Sequence, residues 1–273
     1  MVAPVLKDDT FRHLRDFIHE KSGIYIPDTK KYLLENRLLR RLEEKKLKSY
    51  EDYLYLIKYS GNGDEIAGLF DVVTTNETYF FREPRQFDVF IGHVVPSIVS
   101  AGARGIRVWS AACSTGEEPY TIAILFNEHR ETRLLRKEII GSDISKGVLE
   151  AAKRSVYSSY AVRNVPEEYL KKYFRNSGNV YSLDPKIKTM VKFLNINLVD
   201  EKQVRTLRNL DVVFCRNVLI YFDDKNKRKA VSLIYDSLKP KGYLFIGMSE
   251  SLHTVTRAFR PISINKTVVY QKV

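Results

Sequence analysis

The sequence predicts an α/β chain, a doubly wound sheet of the nucleotide-binding kind preceded by a helical N-terminal domain. Three observations carry that expectation. Residues 1 to about 75 show helical periodicity and no strand with clear alternation. From Ile106 onward the rhythm changes, and short apolar runs alternate with amphipathic segments as in βαβ units. At the change stands Arg107–Phe126, RVWSAACSTGEEPYTIAILF, in which an apolar run, a turn of small residues and a helix follow one another. Strand, small-residue turn and helix form the first unit of such a sheet, where the turn lets a ligand approach the backbone.

Glu117, Glu118 and Pro119 are helix-start signals, because acids meet the positive end of the helix dipole and proline has no amide hydrogen to lose there. The same acids would repel a phosphate, and no P-loop lysine follows Gly116. Carboxylates at this turn fit a ligand with positive charge or ribose hydroxyls. S-adenosylmethionine has a sulfonium, an ammonium and a ribose. The two glutamates serve equally well as helix caps, and the residues alone leave both roles open.

In the N-terminal part, Asp8-Asp9-Thr10 precedes Phe11, Leu14, Phe17 and Ile18, an apolar face at helical spacing with Thr10 as the expected N-cap. Ser22-Gly23 stops that helix. Beyond Pro27-Asp28, the segment KKYLLENRLLRRLEEKKLKSY consists of strong helix formers, with Leu34, Leu38 and Leu42 in one stripe. Beside it run Arg37, Arg41, Lys45 and Lys48, with Arg40 and Lys46 nearby. Lys30 to Lys48 holds eight basic and three acidic residues. The stripe is either a solvated face partly paired with Glu35, Glu43 and Glu44, or a docking surface. Tyr50–Tyr59 reads as a third helix, ended by Gly61-Asn62-Gly63, and Asp64–Val73 as a fourth. Thr74–Glu83 is a poor free helix and reads as a junction packed on the second domain, its polar groups open to a ligand. Gln86–Ser100 is expected to be helical, with an irregularity at Pro96.

The second strand, Ile139–Asp143, ends on an acid about 20–30 residues past the glycine turn, placed to bond both ribose hydroxyls or to cap the helix from Ser145. Ser158–Lys188 is rich in tyrosine and basic residues and reads as an insertion, with a helix over 166–174 and a small hairpin. Strands resume at Val191–Leu198 and Asp211–Cys215. Arg216–Phe222 follows at the strand's carboxyl end, where ligand loops of open sheets lie. Asp223–Leu238 is a helix with a basic face, Lys239–Gly242 a turn and Tyr243–Gly247 a strand. Phe259–Ile264 and Thr267–Lys272 form a closing strand pair.

Composition narrows the class. The 273 residues are 44% hydrophobic and 29% charged, as in ordinary globular proteins. No signal-like or membrane-spanning apolar run is present. Cys113 and Cys215 form no CxxC pair, so a reduced, cytoplasmic protein is expected. Five scattered histidines give no metal-ligand spacing, and no metal is expected. The net charge of +12 raises nucleic acid as a partner, yet basic residues interleave with acids and no RNP or zinc-finger pattern occurs. The charge supports an anionic partner surface. A monomer is the default.

Together these segments resemble the CheR family, S-adenosylmethionine-dependent methyltransferases that esterify glutamates of bacterial chemoreceptors. The resemblance spans almost the whole chain. It rests, in order, on Thr74–Glu83 (TTNETYFFRE), Ser110–Tyr120 (SAACSTGEEPY), Ser142-Asp143-Ile144, Phe214–Phe222 (FCRNVLIYF) and Gly247–Leu252 (GMSESL). It implies a class I methyltransferase-like sheet of seven strands over residues 76–273, with a small inserted β-subdomain at about 158–188. It implies a helical domain over 1–75 that covers the cofactor cleft, and no metal. The implied reaction gives glutamate methyl esters and S-adenosylhomocysteine, for adaptation in chemotaxis.

Cofactor contacts implied at matching positions are Asn76, Thr78, Arg82, Glu118, Asp143, Asn197, Leu198, Arg216 and Asn217. Arg82 would orient the substrate carboxylate or shield that of the cofactor, with a domain-bridging ion pair as its structural alternative. Tyr221 would shape the transfer pocket by donating a hydrogen bond. Arg37, Arg40, Arg41 and Lys45 would dock the acidic methylation helices of a receptor. The insertion is shorter and poorer in glycine than in members that tether to a receptor's C-terminal peptide, which speaks against tethering. Two rivals remain. An RNA methyltransferase would exploit the basic charge, but amino-methylating enzymes usually carry an Asn/Asp-Pro-Pro-aromatic loop where this chain has Arg216-Asn217-Val218-Leu219. A non-catalytic sensor would bind the cofactor without turnover.

Overall fold

Apolar runs with β-branched and aromatic residues become strands wherever both faces can be covered. In the computed structural model, which describes residues 4–59 and 63–273, ten segments do so. In chain order they are β1 (Gly105–Ala111), β2 (Arg136–Asp143), β3 (Val156–Ser158), β4 (Phe174–Ser177) and β5 (Val180–Leu183). Then come β6 (Val191–Asn195), β7 (Leu210–Cys215), β8 (Leu238–Ile246), β9 (Phe259–Ile264) and β10 (Thr267–Lys272). Seven of them form one sheet in the order β6-β2-β1-β7-β8-β10-β9, in which β10 runs antiparallel to the other six. This is the class I methyltransferase arrangement. The strand order reverses at β1, which lies between β2 and β7, so the crevice past their carboxyl ends is the switch point where ligands of such sheets bind.

Each face of the sheet carries its own core. On one, Phe214 and Phe245 stack at 4.6 Å across β7 and β8, and Phe87 and Phe90 pack on Phe214. On the other lie Trp109, Ile140, Val213 and Ile234. A third core is internal to the N-terminal helices Asp8–Ser22, Lys31–Lys45, Tyr50–Tyr59 and Gly63–Val73, where Leu14, Ile18, Leu34, Leu38 and Leu42 are buried. The expected stop at Gly61-Asn62 lies outside the described residues. Among those described, no helix is long and apolar enough to cross a membrane.

Several local expectations need correction. Thr10 sits inside its helix, not at its cap, and its hydroxyl donates to Glu51 Oε1 at 2.9 Å, tying this helix to Tyr50–Tyr59. The helix before β1 starts at Pro84 and takes a π turn over Phe90–Val94. That turn lies directly before Pro96, whose missing N–H and bulky ring disfavour a regular α ladder. The insertion holds a three-stranded sheet, β3-β5-β4, not a lone hairpin. Lys239–Gly242 belongs to β8 as a bulge: β7 advances from Leu210 to Val212 while β8 advances from Leu238 to Tyr243, with Lys241 at φ 64°.

The helical part lies over the carboxyl ends of the strands. Asp71 Oδ1 accepts from Ser145 Oγ (2.6 Å) and Gly147 N (3.0 Å) at the start of helix Lys146–Arg154. Ile24 bridges Phe222, and Tyr25 N donates to Tyr221 O at 2.8 Å. Asn197 Nδ2 donates to Lys21 O at 2.6 Å. These bonds roof the crevice.

Candidate active site

The floor of the crevice is the turn after β1. Ala112, Ser114 and Gly116 all have positive φ, and a Cβ on Gly116 would come within 2.9 Å of Ala152 Cβ and 3.1 Å of the Phe193 ring. Glycine is required there by close packing as well as by conformation. Asp143, at the end of β2, braces this turn: Oδ2 accepts from Ser114 N at 2.9 Å and Oδ1 from Ser145 N at 3.0 Å. Burial raises its pKa, and the two amides oppose that rise. A carboxylate has about four acceptor positions, so Asp143 keeps accepting capacity at the crevice wall. The helix cap that competed for its role is Ser145 itself, whose Oγ accepts from Val148 N at 3.2 Å.

The two glutamates that looked equivalent in sequence part company. Glu118 lines the crevice, Oε1 accepting from Ser110 Oγ (2.7 Å) and Oε2 from Arg216 Nη1 (2.8 Å). Glu117 turns inward, 3% exposed, and accepts from Thr115 Oγ1. Desolvation pushes its pKa up to about 7.

Arg216 is the hub of the wall. Its side chain is 2% exposed, and besides Glu118 it reaches Glu83 Oε2 at 3.0 Å and Arg82 O at 2.5 Å, with its guanidinium 5.1 Å from the Phe87 ring centroid. Its Nε has no hydrogen-bond partner among the described residues. The sequence assigned Arg216 a cofactor contact. It lines the crevice, and its charge is engaged by two carboxylates, so it also holds Glu118 and the Arg82–Glu83 turn.

Asn76, Thr78, Arg82, Asn197, Leu198, Asn217 and Tyr221 line the same crevice as Glu118 and Asp143. Arg82 donates to Glu77 O at 3.0 Å and makes no ion pair among the described residues, so the bridging alternative is not what the fold uses. The four docking candidates do not stay together. Arg37 turns to the crevice wall, bonding Val73 O and Thr75 Oγ1. Arg41 (2.7 Å) and Lys45 (2.8 Å) both reach Glu65, whose side chain is fully buried. Arg40, 79% exposed and paired with Glu44, faces solvent. Of the four docking candidates, Arg37, Arg41 and Lys45 thus have partners within the N-terminal helices and the junction, and Arg40 is the most open to solvent.

Three contributors escaped the sequence reading: Glu83, Glu250 and the wall position of Arg37. Glu83 and Glu250 lie within quoted motifs, so their signal was present without a role attached.

Two family models match the chain in succession: the CheR methyltransferase all-alpha domain over residues 9–74 and the CheR methyltransferase SAM binding domain over residues 76–268. The chain is 38% identical over 272 residues to chemotaxis protein methyltransferase 2 of Vibrio cholerae, covering 98% of this chain and 94% of that one. It is 35% identical over 256 residues to the chemotaxis protein methyltransferase of Borreliella burgdorferi, covering 91% and 89%. The Escherichia coli chemotaxis protein methyltransferase is 34% identical over 258 residues, covering 93% and 88%.

Proposed function

The chain belongs to the CheR methyltransferase family, and we propose that it esterifies side-chain carboxylates of glutamates in chemoreceptors, using S-adenosylmethionine and releasing S-adenosylhomocysteine. The observation that carries this reading is the convergence of Asn76, Arg82, Glu118, Asp143, Asn217 and Tyr221 on one crevice at the switch point.

The donor set fits the cofactor. Asp143 offers open acceptor positions for ribose hydroxyls, and Glu118 offers negative charge. Ile144, Leu198 and Val218 offer apolar surface for a base. When bound, the cofactor supplies a methyl group already activated on a sulfonium. A glutamate with an ordinary pKa of ~4.3 is ionised at neutral pH, so the chain needs no general base. Its task is alignment, and holding reacting atoms at about 3–3.5 Å accounts for several kcal/mol of barrier reduction. The bridge between Ile24 and Phe222 helps keep water from the reacting groups. Arg82 presents a guanidinium for the incoming carboxylate.

Arg82→Ala is therefore expected to lower kcat/KM for receptor methylation about 100-fold while leaving the cofactor Kd within about threefold. Near-normal kcat/KM would remove Arg82 from the mechanism. For docking, the exposed basic residues between Lys31 and Lys48 that are not tied to Glu65 are Arg40, Lys46 and Lys48. Neutralising these three is expected to raise KM for receptor and flatten its dependence on salt, with the cofactor Kd fixed. Unchanged KM across a salt series would return this face to ordinary solvation.

A further inference from the structure

Glu250 lies in the loop after β8 and makes no ion pair among the described residues, yet its carboxylate is fully engaged with backbone. Oε2 accepts from Gly247 N at 2.7 Å and Asn217 N at 2.8 Å, and Oε1 from Ile220 N at 3.3 Å. Two of these donors belong to the loop after β7 that brings Asn217 and Tyr221 into the crevice. That loop begins in an uncommon conformation, with Asn217 at φ 57°, a left-handed state that a non-glycine residue keeps only when its surroundings enforce it. Gly247 leaves the room needed. A Cβ there would lie 2.6 Å from Asn217 Nδ2 and 2.8 Å from Glu250 Oε2. From the other side, Glu83 Oε2 accepts from Met248 N at 3.2 Å, and Asn217 Nδ2 lies 3.4 Å from Glu83 Oε1.

The geometry points to Glu250 as a positioning residue of the methyltransferase: its carboxylate gathers three amides and thereby fixes the loop that presents Asn217 and Tyr221 to the cofactor. This rests on the proposal that Asn217 contacts S-adenosylmethionine. Glu250 itself need touch neither substrate. A carboxylate suits the task because it only accepts. The amide of glutamine offers one accepting oxygen and would turn an NH2 toward one of the N–H donors.

The test is calorimetric binding of S-adenosylhomocysteine to the full chain and its variants. Glu250→Ala is expected to raise Kd about tenfold or more with one site per chain retained, and Glu250→Gln to fall between it and wild type. Gly247→Ala, which pushes on the same two groups, is expected to reproduce the loss. Asn217→Gly keeps the left-handed backbone accessible while deleting the amide, so it reports on the side-chain contact alone. In its background Glu250→Ala should cost less than in wild type. A purely structural Glu250 would lower thermal stability and the fraction of chain able to bind, while Glu250→Ala and Glu250→Gln both kept the wild-type Kd.

Wild-type Kd in Glu250→Ala, with Asn217→Gly weakened, would overturn the positioning role and leave the cofactor site standing. If Glu250→Ala does not fold, wild-type Kd in both Glu250→Gln and Gly247→Ala overturns it instead. Failure of wild type to bind, or wild-type affinity in Asn217→Gly, would overturn the underlying contact and the inference with it.

Discussion

Arg216→Ala is expected to destabilise the fold by about 3–5 kcal/mol, the range for removing one partner from a buried ionic cluster. The guanidinium lies between Glu83 and Glu118, whose side chains are 16% and 14% exposed. Without it two carboxylates are left facing each other in a poorly hydrated wall, and the Arg82 carbonyl loses its donor. Lysine is a weak substitute, since one ammonium cannot serve Glu118, Glu83 and that carbonyl in a fixed fork. Denaturant unfolding checks the magnitude, and a loss below about 1 kcal/mol would contradict the assignment of a desolvated hub. Combining Arg216→Met with Glu83→Gln and Glu118→Gln should recover much of the stability while cofactor binding stays impaired. That separation distinguishes a strut for the site from a strut for the fold.

Glu117→Gln is expected to stabilise the protein at alkaline pH. Glu117 is buried with a pKa raised to about 7 from an ordinary 4.5. Below 4.5 both folded and unfolded chains hold the proton and the group contributes no pH dependence. As pH rises, the unfolded chain releases its proton first, so stability falls between about pH 4.5 and 7 and levels off above about 8. At ~1.36 kcal/mol per pKa unit the full loss is about 3 kcal/mol. Glutamine keeps an acceptor for the Thr115 hydroxyl and cannot ionise. The variant and wild type should unfold together near pH 4.5 and differ by roughly 6–10 °C in Tm at pH 8. An equal difference at both pH values would mean that packing, not ionisation, distinguishes them.

Local patterns made much of the architecture legible. The run Ile106–Trp109, the small residues to Gly116 and the acids before Pro119 foretold β1, the turn and the helix, because each depends on neighbours in sequence. The acid closing β2 was placed by the same logic. What escaped is set across the fold. Glu117 and Glu118 are adjacent on a helix and point about 100° apart, and only the packing of that helix decides which meets the crevice. The basic stripe was broken by Glu65, 24 residues after Arg41 in the chain, and no local pattern announces that ion pair. β3 has three residues, too few for a period to register. The bulge in β8 carries the proline and glycine of a turn, and only pairing with β7 shows that the strand continues through it.

The most direct test of the central claim is transfer of labelled methyl groups from S-adenosylmethionine to receptor-containing membranes, followed by mild alkali. The account predicts label on receptor protein, released by alkali as expected of a carboxyl ester and lost in Asp143→Ala, which removes both a ribose acceptor and the brace on Ser114 N. Alkali-stable label, or no transfer to any of a panel of receptors by protein that binds the cofactor, would contradict it.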